Sequence, residues 1–344
     1  GDEFCTWKVA QMPVGESLRW QPELTKPPLY QFAVRGIARI TTAEDAEVHQ
    51  DAPYRVPGEW HLRLPAALCG ALAVAAMWWL GSMAGGWIVG AAAALLFAVH
   101  ALQVDYSQEA RPYSMLVLGS MVSTAIWYRL NCEVQSSKFK VQKRQVLSLA
   151  IAYIFVASLT FHANYLMALT VVAQGFWTLL IVSRSFAISN LKSQIRKLVA
   201  PAAVLLATLI LCVPIAWHFL QHRTSVFQGL DWIAAPTAYD AAKVLGEITF
   251  GPVWVWAMLV PATIIWGLIA ARHQSTRVAA DERRWTQIIQ AIAPQGDICW
   301  LLLVWLVVSW GGLLVISWVA HPAMVSRYAL PAAAPAILLP LIVL

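Results

Sequence analysis

Long apolar runs separated by short polar loops dominate this chain. A helix needs about 20 apolar residues to cross the roughly 30 Å hydrocarbon core of a bilayer, and most of these runs reach or approach that length. The chain is 59% hydrophobic and only 12% charged, whereas soluble domains average about 25% charged. We therefore predict an all-α polytopic membrane protein with nine spans, at residues 62–80, 86–102, 115–130, 146–161, 163–182, 198–220, 252–271, 299–319 and 329–344.

The chain divides into two parts. Residues 1–61 are polar and mixed, and we predict that they form the first extracytoplasmic loop, with residues 29–40 as a short amphipathic helix on the membrane surface. Residues 62–344 form the predicted transmembrane helical bundle. Because the chain begins without Met and ends inside an apolar run, we expect it to be truncated at both ends.

The distribution of charge predicts the orientation of the spans. Basic residues in short loops face the cytoplasm, and loops 129–145, 184–197 and 272–298 hold 13 of the 24 Lys and Arg residues but only 4 of the 18 Asp and Glu residues. We therefore predict that these loops are cytoplasmic. Alternation of the spans then places a common set of segments on the outer side, namely residues 1–61, 103–112, the corner at His162, 221–251 and 320–327.

Residues 105–113, with the sequence DYSQEARPY, are unusually polar for a connection between two apolar runs. A charged side chain such as that of Glu109 or Arg111 costs about 2.5–3.5 kcal/mol at the centre of a membrane helix, so we expect these residues at a helix end that faces a wet cavity. Pro112 suits the first turn of a helix, and a helix N-terminus beside Arg111 favours phosphate. The alternative is an interfacial loop in which Glu109 and Arg111 only pair with each other.

Residues 106–113, YSQEARPY, closely resemble a signature of the family 39-like glycosyltransferases of the GT-C fold. This family includes dolichyl-phosphate-mannose protein mannosyltransferases and the bacterial aminoarabinose transferase that acts on lipid A. The resemblance extends in order to an Asp-Glu pair, a Lys-Pro-Pro, a His-aromatic corner, an Arg-Tyr pair and the succession of spans. It implies a GT-C-type helical bundle whose outer loop region carries short amphipathic helices.

The resemblance also implies the reaction, which is transfer of a sugar from a polyprenyl-phosphate donor to an acceptor, with inversion. In the family, the Asp of the Asp-Glu pair is held to be catalytic, which corresponds to Asp2 here, with Glu3 as its partner. A carboxylate that takes the proton from an acceptor hydroxyl or amine is a general base, worth about 10²–10⁴ in rate. From the residues alone, such a pair in a polar loop is typical of a solvated surface.

Three cations are candidates for binding the donor phosphate. Lys26 precedes Pro-Pro, Arg111 belongs to the YSQEARPY stretch, and Arg327 stands before a Tyr near the last span. An arginine can bind phosphate bidentately. The alternatives are a snorkelling lysine at residue 26 and an arginine at residue 327 that only anchors its span.

The remaining candidates are polar or aromatic residues that the resemblance places around the sugar and the acceptor. For His162, a hydrogen-bonded structural role is an equal alternative, and we predict that His100, inside an apolar run, is buried. The predicted pocket residues are Tyr106, Gln108, Glu109, His162 and Tyr165.

Other features bear on cofactors and partners. The chain has no GxGxxG, P-loop, HExxH or DxD-type nucleotide-sugar motif, and its 5 cysteines follow no pairing pattern. We therefore predict no metal and no required cofactor beyond the lipid-linked sugar, which serves as donor substrate. The expected partners are membrane lipid and an acceptor protein, lipid or glycan, with no nucleic acid. The segment 44–59 is longer and more acidic than the connection that the family usually has before Arg63-Leu64-Pro65, which indicates an insertion.

We expect a multi-pass protein of the bacterial inner (plasma) membrane with its active site on the extracytoplasmic side. Two other functions fit a polytopic chain with basic residues. A transporter or flippase for lipid-linked sugars would have charges or broken helices near the middle of its spans. A non-catalytic relative would only bind lipid.

The predicted orientation can be tested by labelling single cysteines. Cysteines introduced at Ser107 and Gln228 should react with an impermeant maleimide from outside the cell. Those at Ser137 and Ser275 should react only after permeabilisation. Labelling of residue 107 from the cytoplasmic side alone would contradict the orientation.

Overall fold

A computed structural model describes residues 2–17, 27–41, 59–135, 143–184, 191–221, 223–224, 233–249, 282–319 and 322–343. Helices make up almost all of this part of the chain, and it contains no strand. In chain order they are α1 (Asp2–Gln11), α2 (Leu29–Thr41), α3 (Glu59–Ala98), α4 (Ala101–Gln108), α5 (Tyr113–Gln135), α6 (Lys143–Ala163), α7 (Met167–Arg184), α8 (Leu191–Gln221), α9 (Ala238–Ile248), α10 (Glu282–Val319), α11 (Ser326–Ala329) and, after a 3₁₀ turn at Leu330–Ala332, α12 (Ala333–Val343).

Within the described part, four helices are long and apolar enough to cross a membrane, and they lie at Glu59–Ala98, Arg144–Ala163, Lys197–Gln221 and Asp297–Val319. This supports the predicted membrane character and the all-α class. The predicted number of nine spans is not confirmed, because only four helices of the described residues meet the length and hydropathy of a span. Met167–Ser183 and Ser326–Ile342 are apolar but shorter, α5 carries many polar side chains, and the predicted span at 252–271 lies outside the described residues.

Helix α3 folds back on itself at Gly86. The backbone there has φ 86° and ψ 176°, a conformation that glycine adopts readily and other residues rarely do. The two arms then run so close together that a Cβ on Gly90 would lie 2.6 Å from the carbonyl oxygen of Trp78. The predicted spans 62–80 and 86–102 therefore occupy two antiparallel arms of one hairpin, and small residues permit their close contact.

Helix α4 continues the second arm of this hairpin along the first. The Gln103 amide donates a hydrogen bond to the carbonyl oxygen of Gly70 at 3.2 Å, and the Ser107 side chain lies directly against the same glycine. At the break between α3 and α4, His100 is 2% exposed, as predicted, and it is hydrogen-bonded to the backbone of Ile248 in α9. The C-terminal end of α4 thus lies near the N-terminal end of α3.

Helices α5, α6 and α7 enclose a buried polar network centred on Gln174, which is fully buried. The Tyr153 hydroxyl donates to Gln174 Oε1 at 2.6 Å, and Gln174 Nε2 donates to Ser123 Oγ at 3.2 Å and Thr124 Oγ1 at 2.9 Å. Trp127 Nε1 donates to the Gln174 carbonyl oxygen at 3.0 Å. An apolar environment makes an unpaired polar group costly, so this paired network stabilises one arrangement of the three helices.

Short helices pack over one end of the bundle. In α2 the apolar stripe of Tyr30, Val34 and Ala38 is at most 4% exposed, and the Tyr30 hydroxyl donates to the Leu62 carbonyl oxygen at 2.7 Å. A helix is therefore present where the sequence predicts an amphipathic one, but its apolar stripe packs on the protein. Helix α1 packs beside it on the same end of α3.

The polar network gives a stability prediction. Replacing Gln174 by Leu should lower the free energy of unfolding by about 1–3 kcal/mol, because Tyr153, Ser123 and Thr124 would lose a buried partner. The thermal midpoint of the detergent-solubilised protein measures the effect. Gln145→Leu removes the same amide from an exposed position and should leave the midpoint nearly unchanged. Equal midpoints for the two variants would contradict a structural role for the network.

Candidate functional site

The candidate site lies in the connection from α4 to α5, at residues 109–112. Helix α5 begins directly after Pro112, whose carbonyl oxygen accepts the first helical hydrogen bond, from Leu116 N at 3.0 Å. The Ser114 hydroxyl closes the connection by donating to the Tyr106 carbonyl oxygen at 2.8 Å. The helix start predicted at Pro112 is therefore present, and the connection is held at both of its ends.

Glu109 and Arg111 form an ion pair within this connection. Arg111 Nε lies 3.3 Å from Glu109 Oε2, and the two side chains are 19% and 39% exposed, respectively. The pairing that the sequence allowed as an alternative is thus formed. It is compatible with anion binding, because a guanidinium recognises carboxylate and phosphate with the same N–H donors.

Tyrosine ring contacts link the α4–α5 connection to α11 near the end of the chain. The rings of Tyr106 and Tyr113 meet edge to face at 5.1 Å between centroids, and the Tyr113 and Tyr328 rings lie 6.2 Å apart. Arg327 Cζ lies 5.2 Å from the centroid of the Tyr328 ring, within the range of cation–π contacts. The structure therefore brings Arg327 to the same place as the YSQEARPY stretch.

Both arginines act electrostatically on the same phenol. Burial raises the pKa of Tyr106, and Glu109 raises it further, whereas Arg327 and Arg111 act in the opposite direction. Tyr113 is also within electrostatic range of both arginines. Tyr106 and Tyr113 thus lie in the same region as the two guanidiniums. Guanidinium N–H groups and tyrosine hydroxyls can both donate hydrogen bonds to a phosphate.

The corner between α6 and α7 carries the next two predicted residues. His162 Nδ1 lies 2.8 Å from the Ser158 carbonyl oxygen, which matches the structural alternative for this histidine. The Tyr165 ring packs between Phe161 and Phe219, with centroids at 6.2 Å and 5.0 Å, and burial raises the pKa of Tyr165 to about 12. The Tyr165 hydroxyl is buried and has no hydrogen-bond partner among the described residues.

This corner and the α4–α5 connection lie at the same end of the bundle. Helices α5 and α6 contact each other where Gly119 faces Thr160, and α5 contacts α7 where the Ser120 and Thr170 hydroxyls are 3.1 Å apart. These two contacts lie near the start of α5, the end of α6 and the start of α7. The segments before and after them, including His162 and Tyr165, therefore emerge at the end that carries Arg111.

Helix α1 brings the acidic pair to this end. The Thr6 hydroxyl donates to the Ala110 carbonyl oxygen at 3.3 Å, so α1 docks directly on the α4–α5 connection. Asp2 and Glu3 lie at the start of α1, about one helical turn before Thr6, and their side chains are outside the described part of the structure. Lys26 is also outside the described residues.

The remaining predicted residue, Gln108, is exposed at the end of α4. Sequence reasoning did not assign roles to Tyr113 and Tyr328, although both stand inside the motifs that it used. In the described part of the chain, no group of three or more His, Cys, Asp and Glu side chains could hold a metal ion.

An apolar groove leads away from this end of the bundle between α3, α5 and α6. Its volume is about 540 Å³, within the range of roughly 300–1,000 Å³ typical of ligand pockets. The exposed side chains of Leu72 and Leu159 belong to its lining. Three other lining residues are close in sequence to predicted site residues. Leu29 directly follows Lys26-Pro-Pro, Ala163 directly follows His162, and Met115 lies four residues after Arg111.

Comparison with known proteins found no match among family models, curated proteins or solved structures. The resemblance to the GT-C glycosyltransferases therefore rests on the sequence motifs alone and stays a prediction.

Proposed function

We propose that the chain is a membrane glycosyltransferase of the GT-C type that transfers a sugar from a polyprenyl-phosphate donor to an acceptor at the polar end of its helical bundle, with inversion. One observation carries the proposal. Two arginines far apart in sequence, Arg111 and Arg327, converge on one tyrosine cluster, and an apolar groove lined by Met115 begins one helical turn beyond Arg111.

A polyprenyl-phosphate sugar has chemical parts that match these features. Its hydrocarbon tail matches the apolar groove between α3, α5 and α6, and its phosphate matches Arg111 and Arg327. When the glycosidic bond breaks, negative charge grows on the phosphate oxygen, and preorganised cations stabilise that charge. A phosphate at Arg111 would share the guanidinium with Glu109, whose carboxylate contacts Nε.

The acidic pair is assigned to the acceptor. Asp2 would take the proton from the attacking hydroxyl or amine as general base, and Glu3 would orient it. The docking of α1 on the α4–α5 connection through Thr6 and Ala110 supports a position near the donor. The Tyr165 hydroxyl, buried without a described partner, is available to a sugar hydroxyl.

The distribution of charge favours transfer over transport. No Asp, Glu, Lys or Arg side chain is buried in the part of the chain that the structure describes, whereas a flippase is expected to carry charge or broken helices at the midplane. The buried polar groups between α5, α6 and α7 are neutral and paired. We propose accordingly that the polar end is extracytoplasmic and that the chemistry takes place there.

The function itself is tested by transfer. Purified full-length protein in liposomes should move radiolabelled sugar from polyprenyl-phosphate sugars to acceptors in a membrane extract. Movement of the donor across the bilayer without transfer would instead support the flippase. Binding without transfer or movement would support the lipid-binding relative.

The phosphate assignment can be tested with two arginine variants. Arg111→Ala and Arg327→Ala should each weaken binding of a polyprenyl monophosphate by about tenfold or more, because each removes a charged hydrogen-bond donor from a phosphate. Microscale thermophoresis of the purified protein measures the dissociation constant. Arg129→Ala is the matched control, since Arg129 is exposed near the other end of α5. Equal dissociation constants for all three variants would contradict the assignment.

The base assignment is tested at Asp2. Asp2→Asn keeps the size of the side chain but removes the basic carboxylate, so turnover should fall by about 10²–10⁴. Donor affinity should stay unchanged, because other residues bind the phosphate, and Glu3→Gln should have the smaller effect on turnover. Near-normal turnover in Asp2→Asn would exclude Asp2 as the base.

A further inference from the structure

Helix α9 is firmly attached at the polar end of the bundle although it does not span it. Thr237 and Asp240 form a capping box at its N-terminus, and Ala241, Val244 and Ile248 are buried. These side chains belong to a cluster that includes Leu313, Met324, Ala329 and Ala332. The apolar contacts therefore fix α9 between the end of α10 and the segment that leads into α12.

One polar contact joins α9 to α11. The Ser326 hydroxyl donates a hydrogen bond to Glu247 Oε2, and Ser326 is the residue directly before Arg327. On the same helix, Lys243 Nζ lies 3.9 Å from Glu247 Oε1, and the Lys243 side chain is 60% exposed. An exposed ion pair of this kind contributes little. The hydrogen bond from Ser326 is also exposed, but it joins two helices that are distant in the chain, whereas the Lys243 pair lies within α9.

Helix α11 cannot hold Arg327 in place by itself. It is four residues long and has no side-chain hydrogen bond at its N-cap, Val325. So short a helix is unstable without tertiary contacts, because nucleating a helix is unfavourable. At its C-terminal end α11 continues through the 3₁₀ turn into α12, and Ala329 is buried in the α9 cluster. Tyr328 packs against Tyr113, and the hydrogen bond from Ser326 to Glu247 is the side-chain contact at the first residue of α11.

We propose that Glu247 is a positioning residue of the phosphate site. Its carboxylate holds Ser326, and through Ser326 it sets the place of Arg327 relative to Arg111. This inference rests on the proposed function, in which Arg327 binds the donor phosphate. Glu247 itself touches neither donor nor acceptor. It acts on the donor only through α11.

The inference has a test that needs no ligand. Hydrogen exchange of the purified full-length protein should show faster exchange over residues 322–330 in Glu247→Gln and in Ser326→Ala, by about tenfold. The amides of Tyr328 and Ala329, which donate to the Val325 carbonyl oxygen, report on α11 directly. Lys243→Gln, a charge removal on the same helix, should exchange like the wild type.

A second measurement reports on the site. Polyprenyl monophosphate should bind Glu247→Gln and Ser326→Ala about five- to tenfold more weakly than the wild type, and the double variant should be no weaker than either single one. Ser326→Thr retains the hydroxyl and should restore affinity. Lys243→Gln should bind like the wild type.

The outcomes separate the two proposals. Wild-type exchange and wild-type affinity in Glu247→Gln would overturn the positioning role, and so would faster exchange with unchanged affinity. Faster exchange in the variants together with a wild type that binds no polyprenyl phosphate would contradict the proposed function, and it would support the coupling of Glu247 to α11.

Discussion

Hydrocarbon offers no hydrogen bonds, and the distribution of polar groups in this protein follows from that constraint. Inside the bundle, Gln174 and its hydroxyl and indole neighbours pair with one another. The ion pair of Glu109 with Arg111 lies in the connection before α5, at one end of the bundle. In the described part of the chain the charged side chains thus lie outside the buried interior, and the interior polar groups hold the helices together.

The polar end is assembled from parts that are distant in the chain. Helix α1 is attached through Thr6, α2 through its apolar stripe, and α9 through Trp310, whose indole donates to the Ala241 carbonyl oxygen at 3.2 Å. These helices are too short to be stable alone, and each is stabilised by contact with the long helices. The result is a layer in which charged and aromatic side chains lie near residues that line an apolar groove, such as Met115. The proposed donor, with its phosphate head and hydrocarbon tail, would use both.

Sequence reasoning predicted what depends on local composition. Apolar runs indicated the long helices, Pro112 indicated the start of α5, and the position of His100 in an apolar run indicated its burial. The number of spans was harder to predict, since α5 is as long as a span but carries the polar side chains of the buried network. Its character depends on α6 and α7, which supply the partners.

Other features depend on tertiary contacts and leave no local signal. The hydrogen bond of Ser326 to Glu247 joins two segments with no shared motif. The contacts of the Tyr113 ring with Tyr106 and Tyr328 require α4, α5 and α11 to meet. The apolar stripe of α2 is equally consistent with a membrane surface and with a protein surface, because both bury the same side chains. Only the fold distinguishes these possibilities.

The central claim is that lipid-linked phosphate binds at the end of the bundle that carries Arg111 and Arg327. The most direct test is photocrosslinking of the membrane-embedded full-length protein with a polyprenyl phosphate that has a diazirine next to the phosphate, followed by peptide mapping. The account predicts crosslinks within residues 106–115 and 322–328, and their loss when unlabelled polyprenyl phosphate is added in excess. Competed crosslinks that map instead to residues 129–135, at the opposite end of α5, would contradict it.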